Sequence, residues 1–247
     1  MKTNKNKTKF NSLNEEIIKN DDEKQKEKKC VRFENSEVIK MDVNEIVNNE
    51  SEDEIESDED QDQAPNFSDM ALDDRILMAI LNLGWLEPTP IQETAIPLIL
   101  EGKDVLAKAR TGSGKTGAYA IPLLNKVLSL KKIKSSNQSI SALVLTPSRE
   151  LCSQAFKNLQ ELMAYCQREI SIIDLSSNKM NFQSQNQALL SKPDIIVSTP
   201  TQIINHLNDQ KQVYSQEIKS SLELLVIDEA DLLLSFGYED EIKKLVK

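Results

Sequence analysis

The chain has 247 residues, of which 39% are hydrophobic and 28% are charged, and its formal net charge is −10. A single histidine and three cysteines without a CxxC pair leave little basis for a disulfide framework, a zinc site or a Ser–His–Asp triad. No apolar run approaches the roughly 18 residues that span a bilayer, and the N-terminus lacks a signal-peptide core, so we expect a soluble intracellular protein without a membrane partner.

Charge is distributed unevenly along the chain. Residues 41–74 contain 14 acidic residues and no basic ones, whereas residues 75–247 are close to neutral. The run NNESEDEIESDEDQDQ at 48–63 has almost no apolar side chains and cannot bury enough surface to offset the entropy of the chain. We therefore expect a disordered charged extension over residues 1–64, acidic over 41–64, that serves as a solubilising linker or as a docking tail for basic partners.

From about residue 67 onward, apolar strand patterns alternate with helical patterns. Strands are predicted at 104–109, 142–147, 170–175, 194–200 and 222–231. Helices are predicted from 115 to about 130 with a kink at Pro122, from 151 to 166, and in the glutamine-rich stretch between the third and fourth strands. Buried strands that alternate with helices predict an α/β fold with a doubly wound parallel sheet, which binds ligands at the carboxyl ends of its strands.

A glycine-rich loop follows the first of these strands and opens the first long helix. It consists of Ala109, Arg110, Thr111, Gly112, Ser113, Gly114, Lys115 and Thr116. The loop matches the phosphate-binding pattern G-x-x-x-x-G-K-[ST], except that Ala109 replaces the first glycine. Backbone N–H groups of such a loop bind phosphates, Lys115 supplies a charge for the outer phosphates, and the Thr116 hydroxyl is placed to coordinate Mg²⁺.

The second half of this nucleotide site is predicted where the last apolar strand ends. The run LELLVI leads directly into Asp228 and Glu229. Asp228 is expected to hold Mg²⁺, directly or through water, and Glu229 to orient and deprotonate the attacking water. Lys115, Asp228 and Glu229 are therefore the predicted catalytic residues. The alternative for the carboxylates is an exposed acidic turn.

Three motifs in this order resemble those of the DEAD-box family of ATP-dependent RNA helicases. They are the run GWLEPTPIQ, the loop ARTGSGKT and the tetrapeptide DEAD. The resemblance covers about residues 65–247 and implies a RecA-like phosphate-loop domain that uses ATP and Mg²⁺. Residues 65–93 would form the adenine-reading region, and residues 94–247 the first ATP-binding domain of the helicase.

The resemblance also implies how the base is read. Gln92 matches the family glutamine that contacts the adenine edge, and Phe67, 17 residues before Gly84, matches the aromatic residue that stacks on the base. An amide that meets both a donor and an acceptor of adenine would select ATP over GTP. The alternative for Phe67 is an ordinary residue that marks the start of packing.

RNA contacts are implied after two other strands. The runs PSREL and TPTQ look like the family's PTREL and TPGR, which grip the RNA backbone; the matching residues are Pro147, Ser148, Arg149, Thr199 and Pro200. Arg149 would act through its charge, and Thr199 would open a helix whose N–H groups face phosphate. Two departures from the family pattern leave some of these RNA contacts undecided. Gln202 stands where the family usually has arginine, and residues 175–181 lack the family's glycine pair.

A finer resemblance is to the nucleolar DEAD-box helicases that act on precursors of the large ribosomal subunit. It is carried by Gly84 and Trp85, by the Y-C-x-R run at 165–168, by KPDIIV at 192–197 and by the stretch 221–243. Those helicases also tend to lack the glycine pair. The resemblance implies pre-ribosomal RNA and large-subunit precursor particles as partners, and a nuclear, nucleolar location.

The chain ends 16 residues after Asp231, to which the resemblance assigns coupling between domains. The sequence contains no second RecA-like domain and no Ser-Ala-Thr motif, and the first sheet is expected to lack its last strand or strands. We therefore expect a truncated first domain that does not unwind RNA alone. One alternative is a non-catalytic module that binds nucleotide or a protein partner. Another is an ATPase of a different class, such as a transporter or a DNA helicase, against which the glutamine motif argues.

Overall fold

The computed structural model describes residues 38–42, 66–133, 138–178, 180–208, 218 and 220–245, all within the compact unit Arg32–Lys247. The strands are β1 (Val38–Asp42), β2 (Asp104–Lys108), β3 (Ala142–Leu145), β4 (Ile172–Asp174), β5 (Ile195–Ser198) and β6 (Leu224–Ile227). The helices are α1 (Asp74–Asn82), α2 (Pro90–Leu100), α3 (Lys115–Ile133), α4 (Arg149–Leu162), α5 (Phe182–Leu190), α6 (Pro200–Asn208), α7 (Ala230–Ser235) and α8 (Glu239–Leu245), with a 3₁₀ helix at Phe67–Met70. Among these helices, none combines the length and the apolar composition that a membrane span requires.

Four strands form a parallel sheet in the order β4-β5-β3-β6. In the central strand, Ala142 pairs with Ile195 of β5 on one side and with Leu224 of β6 on the other. Helices connect consecutive strands, as parallel pairing requires. The carboxyl ends of β3, β5 and β6 therefore lie at the same edge of the sheet, where the predicted site residues follow them.

Both faces of this sheet are covered. Ala142 and Val144 of β3 belong to the main hydrophobic core, to which α1, α3 and α4 contribute. The alternate residues Leu143 and Leu145, which point to the opposite face, are only 1% and 0% exposed. Burial on both faces explains why β3 reads as a continuous apolar run, and it confirms the predicted α/β fold with a doubly wound parallel sheet.

The strand that precedes the glycine loop has an unexpected partner. β2 pairs in parallel with β1, with Asp42 opposite Lys108, and within the described residues it is not part of the four-stranded sheet. The carboxylate of Asp42 forms an ion pair with the ammonium of Lys108. Met41 is buried in a small hydrophobic cluster that includes Ala95 of α2 and Ala118 of α3. β1 therefore packs against α2 and against the strand and helix that flank the glycine loop.

The prediction of disorder over residues 1–64 is wrong for the five residues of β1. Backbone pairing with β2 and burial of Met41 stabilise this strand. The charged composition of the segment does not indicate either contact. The other residues of 1–64 lie outside the described residues, so disorder there stays a prediction.

Replacing Met41 with alanine is expected to lower the free energy of unfolding by about 2 kcal/mol, because the substitution removes a buried side chain and leaves a cavity. Urea unfolding followed by circular dichroism measures the change. Lys40→Ala, at the exposed neighbouring position of the same strand, is the matched control and should shift stability by less than about 0.5 kcal/mol. Equal stability of the two variants would contradict the docking of β1.

Candidate functional site

The predicted phosphate loop lies between β2 and α3, and Lys115 is the first residue of that helix. Gly114 has a φ of +91°, a conformation that residues with side chains rarely adopt. A Cβ atom on Gly114 would lie 2.6 Å from Thr89 Oγ1 and 2.7 Å from Gln92 Nε2. The missing side chain therefore allows the loop to approach the start of α2.

Gln92 connects α2 to this loop. Its amide nitrogen donates to the Gly114 carbonyl at 3.1 Å, and its amide oxygen accepts from the Thr89 backbone N–H at 3.0 Å. A primary amide has two N–H donors and two oxygen lone pairs, so these contacts within the described part of the chain leave one donor and one lone pair for a ligand. The structure places Gln92 against the phosphate loop, and its contact with adenine stays a prediction.

A buried hydroxyl of the phosphate loop, Ser113 Oγ, has no hydrogen-bond partner among the residues that the structure describes. The nearby Thr89 hydroxyl belongs to the capping box at the start of α2. Because buried polar atoms in proteins are almost always paired, an unpaired hydroxyl within a phosphate-binding loop indicates a site built to receive a polar ligand. The chemistry of the loop fits a nucleotide phosphate.

The loop after β6 meets the phosphate loop, although β6 and β2 lie in different sheets. The Lys115 ammonium lies 3.5 Å from a Glu229 carboxylate oxygen and donates to the Ala109 carbonyl at 3.1 Å. Glu229 has a φ of +48° and a ψ of +50°, a left-handed conformation that costs a residue with a side chain roughly 1–2 kcal/mol. Strained residues of this kind concentrate at functional sites. The structure thus brings two of the predicted catalytic residues together.

Asp228 is held from two sides. The Tyr119 hydroxyl donates to one carboxylate oxygen at 3.0 Å, and the Glu229 backbone N–H donates to the other at 2.9 Å. Burial and the nearby charge of Glu229 raise the pKa of Asp228, although the hydrogen bond from Tyr119 opposes them. Burial and the charge of Asp228 also raise the pKa of Tyr119, so its phenol keeps its proton and donates.

Tyr119 is a site residue that the sequence did not reveal. It lies three residues after Thr116 in α3, a spacing that places both side chains on one face of the helix. The phenol therefore contacts one predicted Mg²⁺ ligand, Asp228, and shares a helix face with the other, Thr116. The i, i+3 spacing of Thr116 and Tyr119 could have suggested Tyr119 as a site residue. That spacing does not predict the contact of Tyr119 with Asp228, which follows β6.

The donors around Tyr119 fit Mg²⁺. In the part of the chain that the structure describes, no group of three histidine, cysteine, aspartate or glutamate side chains could hold a metal alone. Magnesium ions in nucleotide enzymes are usually held by one or two carboxylates together with substrate phosphates. One carboxylate, Asp228, and one hydroxyl, Thr116, match that donor set.

Asp228→Asn is expected to be more favourable to stability at neutral pH than at low pH, because it removes a buried carboxylate that lies beside Glu229. A carboxyl whose pKa is raised by folding stabilises the protein at low pH, and this contribution is lost as the pH rises through the folded-state pKa. The advantage of the asparagine variant should therefore shrink as the pH falls toward 3.8, the ordinary pKa of aspartate.

Urea unfolding at neutral pH and at about pH 4 measures this difference. Asp240→Asn, which neutralises an exposed aspartate on α8, is the matched control and should not show the same pH-dependent gain. A stability difference between Asp228→Asn and the wild type that does not change with pH would contradict the raised pKa.

The remaining predicted nucleotide residues differ in exposure. Phe67 is only 3% exposed and lies in the main core, so stacking on a base would require its ring to be uncovered.

Ala109 packs at the margin of the cluster that contains Met41. Three loop residues are exposed: Arg110, Thr111 and Gly112. Trp85 covers α3, since a Cβ atom on Gly117 would lie 3.0 Å from its indole.

The residues predicted to contact RNA begin two helices. Ser148 is the N-cap of α4, and its hydroxyl accepts from the Leu151 N–H at 3.3 Å. Arg149 is exposed, whereas Pro147 before it is buried. The Ser148 hydroxyl therefore caps α4, and Arg149 is the neighbouring residue that is exposed to solvent.

The second of these helices is α6. It begins at Pro200, which is buried, and the partly exposed Thr199 precedes it. The Thr199 carbonyl accepts from the Ile203 N–H at 3.2 Å. The predicted helix start at this position is confirmed. Contacts of Pro147, Ser148, Arg149, Thr199 and Pro200 with RNA stay predictions.

The loop at 175–181, described without residue 179, lies beside Arg149. Arg149 Nη1 donates to the Asn178 side-chain oxygen. Gln202, which replaces the family arginine, donates from its amide nitrogen to Gln185 Oε1 at 2.8 Å. These side chains help to line a polar cavity of about 210 Å³.

Asp231 lies in the first turn of α7 and is exposed. Its carboxylate accepts from the Leu232 backbone N–H at 3.2 Å. Coupling between domains through this residue stays a prediction.

Comparison with known proteins agrees with this site. Residues 89–247 match the family model described as DEAD/DEAH box helicase. The chain is 44% identical over 195 residues to the probable ATP-dependent RNA helicase ddx56 of Dictyostelium discoideum, and 40% identical over 208 residues to the ATP-dependent RNA helicase dbp9 of Emericella nidulans. These alignments cover 79% and 84% of this chain but only 27% and 33% of the relatives, so the chain spans a third or less of their length.

A solved structure gives the same assignment. A DEAD box protein from the hyperthermophile Methanococcus jannaschii superposes with a TM-score of 0.62 at 34% identity, over 73% of this chain and 46% of that one. The family match, the relatives and the meeting of Lys115 with Glu229 at 3.5 Å all point to one assignment. The chain belongs to the DEAD/DEAH box helicase family.

Proposed function

We propose that the chain forms the ATP-binding part of an ATP-dependent RNA helicase. The observation that carries the proposal is the meeting of two loops from separate sheets, which brings the Lys115 ammonium 3.5 Å from Glu229 and places Asp228 under the Tyr119 hydroxyl. A phosphate-binding loop that faces a pair of carboxylates is the arrangement that nucleotide hydrolysis requires.

Each residue has a defined task in this proposal. The N–H groups of the loop and the start of α3 bind the phosphates, and Lys115 exchanges its contact with Glu229 for the outer phosphates. Asp228 and Thr116 would hold Mg²⁺, which would neutralise charge on the phosphates. Once separated from Lys115, Glu229 accepts a proton from the attacking water. Tyr119 keeps the Asp228 carboxylate in place.

Gln92 is proposed to select the base. Its free N–H and free lone pair match the acceptor and donor that adenine presents side by side, whereas guanine presents different groups there. The hydrogen bond from Gln92 to the Gly114 carbonyl also links base recognition to the phosphate loop. Phe67 would stack on the base only after its ring leaves the core.

RNA is proposed to lie along the helix starts after β3 and β5. The exposed guanidinium of Arg149 and the region around Thr199 would contact the RNA backbone, together with Pro147, Ser148 and Pro200. Backbone contacts carry charge and shape information but read no bases. The site therefore supports binding that does not depend on RNA sequence, with duplex or RNP remodelling as the outcome in the whole protein.

We further propose a role in the assembly of the large ribosomal subunit, within the nucleolus. The support is the resemblance of Gly84, Trp85 and the runs at 165–168, 192–197 and 221–243 to helicases of that group. Pre-ribosomal RNA, the precursor particles and a second RecA-like domain would be the partners.

Nucleotide choice tests the proposal in the 247-residue chain itself. Fluorescent ATP and GTP analogues are titrated against the purified chain, and we expect a clear preference for ATP. Gln92→Ala should bring the two affinities within about twofold, since the loss of one or two hydrogen bonds accounts for about tenfold selectivity. Gln187→Ala, at an exposed position of α5, is the matched control and should retain the preference. Equal affinity of the wild-type chain for both nucleotides would refute the role of Gln92.

RNA dependence tests the helicase assignment. Residues 1–247 are joined to the remaining part of the Dictyostelium relative, and phosphate release is measured with and without single-stranded RNA. We expect RNA to stimulate the release. Nucleotide binding without any stimulation would favour the alternative of a non-catalytic binding module.

A further inference from the structure

Gln185 of α5 occupies an unusual position for a glutamine, because it is only 5% exposed. Its amide nitrogen donates to two carbonyls of the preceding loop, that of Leu175 at 2.7 Å and that of Met180 at 3.4 Å. Carbonyls only accept hydrogen bonds, so these two contacts fix which end of the amide is nitrogen. One buried side chain therefore ties together both ends of the loop at 175–181.

The amide oxygen of Gln185 faces α6 and accepts from two side chains of that helix. Gln202 Nε2 lies at 2.8 Å, and Nε2 of the fully buried His206 lies at 3.0 Å. Because the Gln185 oxygen can only accept, Nε2 of His206 donates to it, while Nδ1 lies 2.8 Å from the side-chain oxygen of Asn186. The ring of Phe182 stacks on the His206 ring with centroids 4.4 Å apart and holds it in this orientation. The Gln185 amide thus joins the loop, α5 and α6, and the contact of His206 with Asn186 adds a second link between the two helices.

This loop carries Asn178, whose side-chain oxygen accepts from the guanidinium of Arg149. Asn178 and Arg149 are exposed, whereas Gln185 and His206 are buried. The buried amide binds both ends of the loop that carries Asn178, and Asn178 is the hydrogen-bond partner of the guanidinium.

We propose that Gln185 is a positioning residue for RNA binding, which orients Arg149 through Asn178, and that Gln202 acts through Gln185 rather than by touching RNA. This inference rests on the proposed function of Arg149. It gives the two departures from the family pattern one explanation. The loop that lacks the glycine pair is held by a side-chain anchor, Gln185, and the glutamine at 202 donates to that anchor.

The first test measures the affinity of the 247-residue chain for a fluorescein-labelled oligouridylate, by anisotropy, in the presence of a non-hydrolysable ATP analogue. Gln185→Met, which keeps the length of the side chain but removes its hydrogen bonds, should weaken RNA binding about fivefold. Affinity for the fluorescent ATP analogue should not change. Gln187→Met, at an exposed position of the same helix, is the matched control and should bind RNA as the wild type does.

A double-mutant cycle separates positioning from general damage to the fold. If Gln185 acts through Arg149, then Gln185→Met should cause no further loss of RNA affinity in an Arg149→Met background. Asn178→Ala, at an exposed position where folding is not at risk, should show the same loss alone and the same absence of effect beside Arg149→Met. Additive losses would overturn the proposal.

The single histidine of the chain provides a spectroscopic test. A ¹⁵N-edited NMR spectrum contains one imidazole, and we expect the wild-type ring to carry its proton on Nε2. In Gln185→Met this preference should be lost. A wild-type ring with a bare Nε2 would contradict the hydrogen bond to Gln185 and with it the anchor.

The outcomes separate the two proposals. If the wild-type chain binds no oligouridylate, the proposed RNA site fails, and the inference fails with it. If the wild type binds RNA and both Gln185→Met and Asn178→Ala bind equally well, only the inference is refuted.

Discussion

Replacing Glu229 with glutamine is expected to lower kcat for ATP hydrolysis by a factor of about 100 or more, the usual contribution of a positioned general base. ATP affinity should stay within about twofold, because the contact of Glu229 is with Lys115 and that lysine remains available for phosphate. Glutamine keeps the shape of the side chain and loses its basicity. Phosphate release and analogue titration are measured on the chimera with the Dictyostelium relative.

Glu93→Gln is the matched control for this change, because it neutralises an exposed glutamate on α2. Its kcat should equal that of the wild type. A Glu229→Gln protein that hydrolyses ATP at the wild-type rate would show that another group accepts the proton of the attacking water.

Replacing Lys115 with alanine is expected to weaken binding of ATP about tenfold or more, because it removes a charge-assisted contact with the outer phosphates worth roughly 1.5–3 kcal/mol. The structure adds a second consequence. Without Lys115, Glu229 loses its cationic neighbour, and the charges of Glu229 and Asp228 are no longer balanced by the ammonium. The site then repels the negatively charged phosphates of ATP more strongly. The loss for ATP should therefore exceed the loss for adenosine, and titration of the 247-residue chain with both ligands measures this.

Lys126→Ala, on the exposed side of the same helix, provides the control and should bind both ligands as the wild type does. If Lys115→Ala retained the wild-type affinity for ATP, the glycine loop would not be the phosphate site.

The sequence was most informative where local pattern and chemistry coincide. The strand at 222–231 and the strand at 142–147 were predicted because buried parallel strands are continuously apolar, and β6 and β3 lie within those ranges. The helix from 115 was predicted because a phosphate loop opens a helix, and α3 begins at Lys115. Its predicted end, near 130, falls three residues before the observed end at Ile133.

Contacts between residues that are far apart in the sequence could not be predicted in this way. β1 was missed because five residues in a charged segment carry little strand signal, and their stability comes from the distant β2. The contact of Tyr119 with Asp228 joins residues 109 positions apart. Gln185 was predicted only as part of a glutamine-rich helical stretch, and no site was predicted for the single histidine. The two side chains contact each other across two helices, and composition alone does not reveal such pairs.

The pairing of β1 with β2 has a practical consequence for producing the protein. The family match starts at residue 89, and a recombinant form trimmed to that boundary would lack β1 and Trp85. One edge of β2 would then present unpaired N–H and C=O groups, and an open strand edge beside exposed apolar side chains promotes aggregation between molecules. A form that begins at or before residue 38 keeps this edge covered by the protein's own chain.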